Sequence, residues 1–403
     1  MTATDKQFRP DWQLFLITLL LLSFGTVMVF DASYPHAIEY HQDAMYWVKK
    51  QLLWAVIGMG GLFAAAKIPY WKWQKWAVPG LIVAILMLVA VKFIGHSALG
   101  GQRWIGFGPI RIQPSEVAKL ALVLFLAKMI ADKPNITRNG WGVVGLLAAS
   151  GISILLVERQ PDMGTAMTML FSCLLVLFAG GCKKRWIAGI LAVAVVAGLG
   201  VVLYERQKND FRWRRLTTFV NPDADPLKSG FQITHSTIAL GTGGATGLGF
   251  GESREKRMGN LPAQRTDFIY AIVGEEFGMI GTCGVLLAFL WLGGRGYHVA
   301  QRTKDPFGAL LATGITSIVT VQAMLNMAVV TASVPTTGIP LPFISYGGSS
   351  LLPTLFGVGI LLNISQHPFR RDLRPAARRA RGEEVERTKV KGRVDFDRLL
   401  ERA

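Results

Sequence analysis

Residues 12–30, WQLFLITLLLLSFGTVMVF, form an apolar run of 19 residues without a charged side chain. A helix needs about 20 such residues to cross the hydrocarbon core of a bilayer. The run is longer than the core of a signal peptide, and it follows a short segment that contains Lys6 and Arg9. We therefore interpret it as an uncleaved first membrane span.

Similar runs recur along the 403 residues, of which 51% are hydrophobic and 17% are charged, with a mean hydropathy of +0.36. A soluble domain of this length needs more polar surface. We predict an all-α polytopic membrane protein with about ten transmembrane helices, because open strands cannot satisfy their backbone groups in lipid. The predicted spans are residues 12–31, 51–67, 77–94, 113–131, 140–157, 163–180, 186–204, 267–293, 307–331 and 348–366.

Basic side chains occupy every second connection between these spans and also the end of the chain. Short connections rich in Lys and Arg remain in the cytoplasm, so both termini are predicted to lie there. The formal net charge of +17 then reflects orientation in a lipid membrane, and no nucleic-acid partner is expected. Residues 1–366 form the predicted transmembrane domain, and the basic tail 367–403 is predicted to be a cytoplasmic segment that is disordered or forms a weak helix.

The long connection between the seventh and eighth spans, residues 205–266, breaks this charge pattern. It is predicted to be extracytoplasmic, yet it contains ten Lys or Arg residues against six Asp or Glu residues. A loop of this length is largely exempt from the orientation rule. Its positive charge suits an anionic substrate or anionic lipid headgroups, and the charge alone favours neither.

Charged residues near the outer ends of the spans are candidate functional residues, because ionisable groups are costly at membrane depth. Arg103 and Trp104 precede the fourth span, and Glu116 and Lys119 lie three residues apart within it. That spacing places both charges on one helix face. The pair is a structural ion pair or the lining of a cavity, and one pair can serve as both.

A second polar group, Gln160 and Asp162, lies between the fifth and sixth spans. Pro161 and Gly164 interrupt the apolar runs there. Spacing alone favours Asp162 as a helix cap over a substrate contact, because caps are common at such positions. Glycines within residues 241–251 would let backbone N–H groups approach phosphates, but no Walker motif follows and a flexible loop is the preferred interpretation.

A third group surrounds the start of the eighth span. Arg265, Thr266 and Asp267 precede it, and Glu276 lies nine residues after Asp267, about 13 Å further along a helix. Either Thr266 or Asp267 caps the helix, or Asp267 is a carboxylate at the mouth of a cavity. Partial desolvation would raise the pKa of such a carboxylate and improve it as a general base. Spacing does not separate these alternatives.

Neither a disulfide framework nor a metal site is predicted. Cys173, Cys182 and Cys283 lie in or beside apolar runs, where no extracytoplasmic pairing is plausible. The six histidines are scattered and lack the spacing of metal ligands.

A longer stretch carries a resemblance to a known family. Residues 335–350, PTTGIPLPFISYGGSS, are similar to the signature of the SEDS proteins, which include FtsW, RodA and SpoVE. Shorter motifs match in the same order, namely QPSE at 113–116, QPD at 160–162 and TDFI at 266–269. The resemblance extends to about His367, and the form of the long motif is more similar to FtsW or SpoVE than to RodA.

The resemblance implies ten transmembrane helices and peptidoglycan glycosyltransferase activity on lipid II, with the growing glycan on undecaprenyl pyrophosphate as donor. It also implies a class B penicillin-binding protein and other divisome membrane proteins as partners. Asp267 occupies the position of the family's essential aspartate, which favours catalysis over capping. The family often has Leu-Pro-Glu-x-His before this motif, whereas residues 261–265 are LPAQR, and Arg265 is a candidate for the missing cation.

The implied reaction inverts the configuration of the donor's anomeric carbon. Asp267 takes the proton of the acceptor 4-hydroxyl while pyrophosphate leaves. The charge of the pyrophosphate is stabilised by cations such as Arg214, and Mg²⁺ or Mn²⁺ is a further candidate for this role.

Two other functions remain as alternatives. A lipid II flippase is the main alternative, and a non-catalytic scaffold for division proteins is the third hypothesis. The candidate substrate-binding residues are Arg103, Trp104, Glu116, Lys119, Gln160, Asp162, Arg214, Arg215, Arg265, Glu276 and Ser345.

Overall fold

The computed structural model describes residues 8–98, 101–107, 110–208, 211–221, 229–259, 261 and 263–368. The predicted tail therefore lies outside the described residues from position 369 onward. The α-helices within these ranges are α1 (Trp12–His41), α2 (Tyr46–Lys67), α3 (Tyr70–Ile94), α4 (Pro114–Asp132), α5 (Gly140–Glu158), α6 (Met163–Ala179), α7 (Lys184–Lys208), α8 (Phe211–Val220), α9 (Ser229–Gly243), α10 (Arg254–Met258), α11 (Ile269–Arg302), α12 (Pro306–Val330) and α13 (Gly348–Gln366).

Seven of the described helices are long and apolar enough to cross a membrane, namely α1, α3, α5, α7, α11, α12 and α13. The prediction of a helical, multi-span chain is thereby confirmed. The other three predicted spans coincide with α2, α4 and α6, which are shorter or less apolar. The count of ten crossings stays a prediction.

Several helices extend past the predicted spans. The first helix continues to His41 instead of residue 31, and α2 and α3 begin at Tyr46 and Tyr70 instead of residues 51 and 77. Hydropathy marks the part of a helix that suits the hydrocarbon core, whereas backbone hydrogen bonding also continues through polar turns. Gln42 ends α1 in a left-handed conformation, with a φ of 52°.

The segment between α3 and α4 forms a small antiparallel sheet that hydropathy did not indicate. Its strands are β1 (His96–Ala98), β2 (Gly101–Phe107) and β3 (Ile110–Ile112), with β2 in the middle. Ile105 of β2 pairs with Ile112 of β3 in this register. Two of the strands have only three residues, and β2, GQRWIGF, lacks a regular alternation of polar and apolar residues.

The predicted long loop, residues 205–266, is largely helical because α8, α9 and α10 lie within it. Its glycine-rich part is bonded to α11, so the preference for a flexible loop was wrong. The backbone N–H groups of Leu248 and Gly249 donate to the carbonyl oxygens of Glu275 and Glu276, each at 3.0 Å. These bonds occur where α11 is interrupted at Gly278, which has a φ of 63°.

The most buried of the long helices are α12 and α13. The former packs against α4, α6 and α11, and the latter packs against α2. Between them runs the signature segment, residues 335–350, whose apolar side chains Ile339, Leu341 and Phe343 are buried. The signature segment is therefore part of the interior and not a surface loop.

The two ends of the described chain lie close together. The N–H of Phe8 donates to the carbonyl oxygen of Gln366 at 2.9 Å, and the N–H of Lys304 donates to Pro368 at 2.9 Å. The start of α1, the end of α13 and the α11–α12 connection consequently share one face of the helical assembly.

The close approach of α1 to the signature segment gives a test of this packing. A Cβ on Gly25 would overlap the backbone of Phe343 and Ile344, whereas a Cβ on Gly60 of α2 would meet nothing within 4 Å. We expect Gly25→Ala to destabilise the protein by about 1–3 kcal/mol through overpacking. Thermal unfolding in detergent measures the difference, with Gly60→Ala as the matched control. Equal unfolding midpoints for the two variants would contradict the packing.

Candidate functional site

The segment before α11 is held by side chains from α12 and the signature segment. The amide of Asn326 donates to the carbonyl oxygens of both Asp267 and Ile339, each at 2.8 Å. The hydroxyl of Ser345 donates to the carbonyl oxygen of Thr266 at 2.5 Å and accepts from the N–H of Leu341 at 2.8 Å. These bonds fix the backbone on both sides of the Asp267 side chain.

The Asp267 carboxylate does not cap the helix. The N-cap of α11 is Phe268, without a side-chain cap bond, and the hydroxyl of Thr266 donates instead to the carbonyl oxygen of Ala263 at 3.1 Å. The capping interpretation of both residues was wrong. Asp267 is half-buried, and within the described ranges its carboxylate accepts no hydrogen bond.

Burial raises the pKa of Asp267 to about 6. The positive charges of Arg215 and Arg103 act in the opposite direction, and the negative charge of Asp162 adds to the increase in pKa. Three other predicted site residues, up to about 160 positions away in the chain, therefore act electrostatically on Asp267. Such a carboxylate is ionised at neutral pH and remains basic enough to accept a proton.

The two arginines are oriented by backbone carbonyl groups. Arg103 of β2 donates through Nε to the carbonyl oxygen of Gln160 at 3.0 Å and through a terminal nitrogen to Pro161. Arg215 of α8 donates through Nη1 to the carbonyl oxygen of Thr336 at 3.0 Å. Arg214, its neighbour, is exposed. Trp104 of β2 is half-buried.

Asp162 is the N-cap of α6, as predicted, and accepts from the N–H of Thr165 at 3.3 Å. Its second oxygen accepts from the amide of Gln113 at 2.9 Å and from the hydroxyl of Ser115 at 3.1 Å. The side chain of Gln160 is buried and donates to the carbonyl oxygen of Leu88 in α3 at 2.8 Å. The QPSE and QPD motifs therefore stabilise the connection between α5 and α6, whose carbonyl groups orient Arg103.

Glu116 and Lys119 form a buried ion pair with a separation of 2.9 Å. The ammonium of Lys119 also donates to the side chain of Gln322 in α12. The pair lines a small crevice between α4, α12 and α13, together with Pro353 and Thr354. The ion-pair interpretation is confirmed, and a substrate contact in this crevice stays a prediction.

Glu276 belongs to a separate buried cluster. It accepts from the ammonium of Lys256 at 2.6 Å, and both carboxylate oxygens of Asp31 accept from the same ammonium at 2.7 Å. Glu275 accepts from the N–H of Arg254 at 2.8 Å and so binds the first turn of α10. Sequence reasoning missed Asp31, although a carboxylate at the end of the first apolar run was a sufficient signal.

Arg265 and Asp267 are directed to different neighbours. The guanidinium of Arg265 lies 4.1 Å from the centre of the Trp47 ring, and its backbone carbonyl accepts from the N–H of Tyr346 at 2.9 Å. The cations that act on Asp267 are Arg215 and Arg103. The geometry therefore does not support the prediction that Arg265 replaces the missing family cation. No sequence signal pointed to Trp47.

In the part of the chain that the structure describes, no group of three or more His, Cys, Asp and Glu side chains is arranged to hold a metal ion. The described cysteines, Cys173, Cys182 and Cys283, are unpaired.

Residues 11–369 match the family described as "Cell cycle protein", FtsW/RodA/SpoVE. The chain is 40% identical to stage V sporulation protein E of Bacillus subtilis, covering 90% of this chain and 99% of the relative. It is 42% identical to a probable peptidoglycan glycosyltransferase FtsW of Geobacter metallireducens, covering 89% of this chain and 95% of the relative.

Solved structures have the same fold. RodA of Thermus thermophilus matches with a TM-score of 0.67 and 25% identity, over 90% of this chain and 98% of that one. A chain from a structure described as a peptidoglycan synthase complex that coordinates polymerization and crosslinking matches with a TM-score of 0.73 and 27% identity, over 90% and 99% of the two chains.

Fold and site together define a multi-span helical membrane protein with a half-buried carboxylate that interacts electrostatically with two arginines. The chain belongs to the FtsW/RodA/SpoVE family. The resemblance recognised in the signature segment is confirmed.

The buried cluster around Lys256 provides a stability test. Lys256→Met would leave Asp31 and Glu276 buried without a counter-charge, and we expect it to cost about 3–5 kcal/mol. Lys49→Met removes a lysine from a solvent-exposed pair with Asp43 and should change stability little. Chemical unfolding in detergent compares them, and a Lys256→Met variant as stable as Lys49→Met would refute the importance of the cluster.

Proposed function

We propose that this protein is an inverting peptidoglycan glycosyltransferase that polymerises lipid II into β-1,4-linked glycan strands. The observation that carries the proposal is the Asp267 carboxylate, which is half-buried, accepts no hydrogen bond within the described residues and lies under the influence of two arginines. The naming of FtsW relatives with about 40% identity as probable peptidoglycan glycosyltransferases supports the same reaction.

In the proposed mechanism Asp267 accepts the proton of the acceptor sugar's 4-hydroxyl as that oxygen attacks the donor's anomeric carbon. The bond to pyrophosphate breaks on the opposite side, so the configuration inverts in one step. Arg215 and Arg103 stabilise the negative charge that accumulates on the leaving pyrophosphate. Their fixation by the carbonyl groups of Thr336 and Gln160 means that little reorganisation is needed during the reaction.

The proposal retains Mg²⁺ or Mn²⁺ as a candidate at the pyrophosphate. Magnesium is commonly bound through substrate phosphates with one or two carboxylates. The ion would therefore arrive with the substrate, and its protein ligands would be few.

The proposed orientation places both termini in the cytoplasm and Asp267 at the extracytoplasmic side of the membrane. The shared face formed by Phe8, Gln366 and Pro368 supports a common side for both ends of the described part of the chain. The basic connections support a cytoplasmic location for that side. The partner would be a class B penicillin-binding protein that crosslinks the glycan. This part of the proposal is supported by the similar chain in a structure described as a peptidoglycan synthase complex.

Removal of the proposed base gives the first test. Purified protein supplied with lipid II and its partner should form glycan strands, and Asp267→Asn should lower the rate by at least about 100-fold, because general-base catalysis contributes that much. Asp43→Asn is the matched control, since Asp43 lies in the α1–α2 connection and binds Lys49. Near-normal polymer from Asp267→Asn would exclude the base assignment.

The same assay also separates polymerisation from flipping. Translocation has no meaning in detergent, so elongation of glycan strands in detergent would exclude a protein that only flips lipid II.

The raised pKa of Asp267 predicts the pH dependence of the rate. The base is inactive when protonated, so activity should be half-maximal near pH 6 and level off about one pH unit higher, instead of being half-maximal near pH 4. Arg215→Ala removes a charge that lowers the pKa, and the acidic limb should then move to higher pH. Polymerisation rates between pH 4.5 and 8 measure both effects. A rate in the unsubstituted protein that is nearly constant from about pH 5 upward would contradict the assignment.

A further inference from the structure

Arg265 is a half-buried cation without an acidic partner among the described residues. Its guanidinium lies over the ring of Trp47, and its N–H groups donate to no acceptor within the described ranges. Burial also lowers the pKa of Arg265, which indicates that the charged form loses solvation there. A cation–π contact compensates only part of that loss, whereas an oxyanion would satisfy several guanidinium donors at once.

The surroundings of Arg265 are aromatic and basic. The Trp47 ring contacts the Tyr346 ring edge-on, with 5.0 Å between centroids. The ammonium of Lys50 lies 5.4 Å from the centre of the Trp47 ring and donates to the hydroxyl of Tyr46 at 2.6 Å. Two cations therefore share one aromatic surface, formed by the start of α2 and the end of the signature segment.

The acidic residues of the neighbouring α1–α2 connection do not neutralise these cations. Asp43 binds Lys49 at 2.8 Å, and Glu39 is exposed at the end of α1. Arg265 is only two residues from Asp267, so its backbone lies within about 7 Å of the proposed base. Its side chain nevertheless extends to α2, and the charges that act on Asp267 belong to other residues.

We infer that Arg265, Lys50 and Trp47 form a second anion-binding subsite, which holds an acidic group of the lipid-linked substrate remote from the reacting carbon. The inference rests on the proposed function and adds a substrate contact to it. The shared chemistry of the ligand is an oxyanion, either a phosphate or a carboxylate of the peptide stem. The aromatic surface keeps the guanidinium and the ammonium in place for that group.

Binding without turnover tests the inference. In an Asp267→Asn background, the affinity for fluorescent lipid II in detergent is measured by thermophoresis. Arg265→Ala should weaken binding about tenfold or more, as expected for loss of a charge-assisted contact. Lys50→Ala should weaken it severalfold, and Arg265→Lys should give an intermediate loss because it keeps the charge without the planar fork. Lys49→Ala is the matched control, and it should bind as the parent does.

Two further ligands identify the source of the oxyanion. The same variants are measured with a lipid-linked disaccharide that lacks the peptide and with undecaprenyl pyrophosphate. A penalty that disappears without the peptide assigns the subsite to a carboxylate, and a penalty that persists with undecaprenyl pyrophosphate assigns it to a phosphate. Equal affinities of Arg265→Ala and its parent for all three ligands would overturn the inference, as would an equal loss in Lys49→Ala.

This experiment is separable from the test of the proposed function. Failure of the unsubstituted protein to form polymer would remove the glycosyltransferase assignment, while an Arg265-dependent affinity would still be measurable. Normal polymerisation with Arg265-independent binding would remove only the subsite. Unfolding midpoints of the Arg265 variants, compared with that of Lys49→Ala, verify that each protein is folded.

Discussion

The site depends on the amide of Asn326, which donates to the carbonyl oxygens of Asp267 and Ile339 at once. Irregular backbone within a helical membrane protein is tolerated only where other groups satisfy its carbonyl and N–H groups. One side chain of α12 therefore joins the start of α11 to the signature segment. Ser345 strengthens the connection through its bond to Thr266. The backbone at Asp267 is therefore held by Asn326 and Ser345, and not by hydrogen bonds of the Asp267 carboxylate.

The carboxylates of this protein differ in what they bind. Glu116, Asp162 and Glu276 each accept hydrogen bonds from neighbouring side chains, and Asp31 binds Lys256 through both oxygens. Each of these four carboxylates is engaged in a buried contact within the protein. Asp267 differs because its charge interacts with two arginines whose hydrogen bonds go to backbone carbonyl groups. This contrast separates the candidate base from the structural acids of the helical assembly.

The separate cluster of Lys256 explains how α1 and α10 are attached to α11. Glu276 and Asp31 share one ammonium, and Glu275 binds the first turn of α10. The glycine-rich residues 244–249 bond to α11 around its interruption at Gly278. The part of α11 nearest to Asp267 thus has polar contacts with α1, α10 and the glycine-rich segment, whereas the rest of the helix presents apolar side chains such as Leu287 and Leu290 to its surroundings.

The sequence by itself determined the helical membrane class, because runs such as residues 12–30 satisfy the length and polarity that a bilayer demands. It also determined the family, through a motif long enough to be specific, and it identified Asp162 as a cap and Glu116–Lys119 as a pair, since both depend on local spacing. Tertiary structure alone decided that Asp267 is not a cap, that the charges of Arg215 and Arg103 act on it and that Arg265 contacts Trp47. These relations join residues that are far apart in the chain, and no local period or propensity encodes which distant side chains meet.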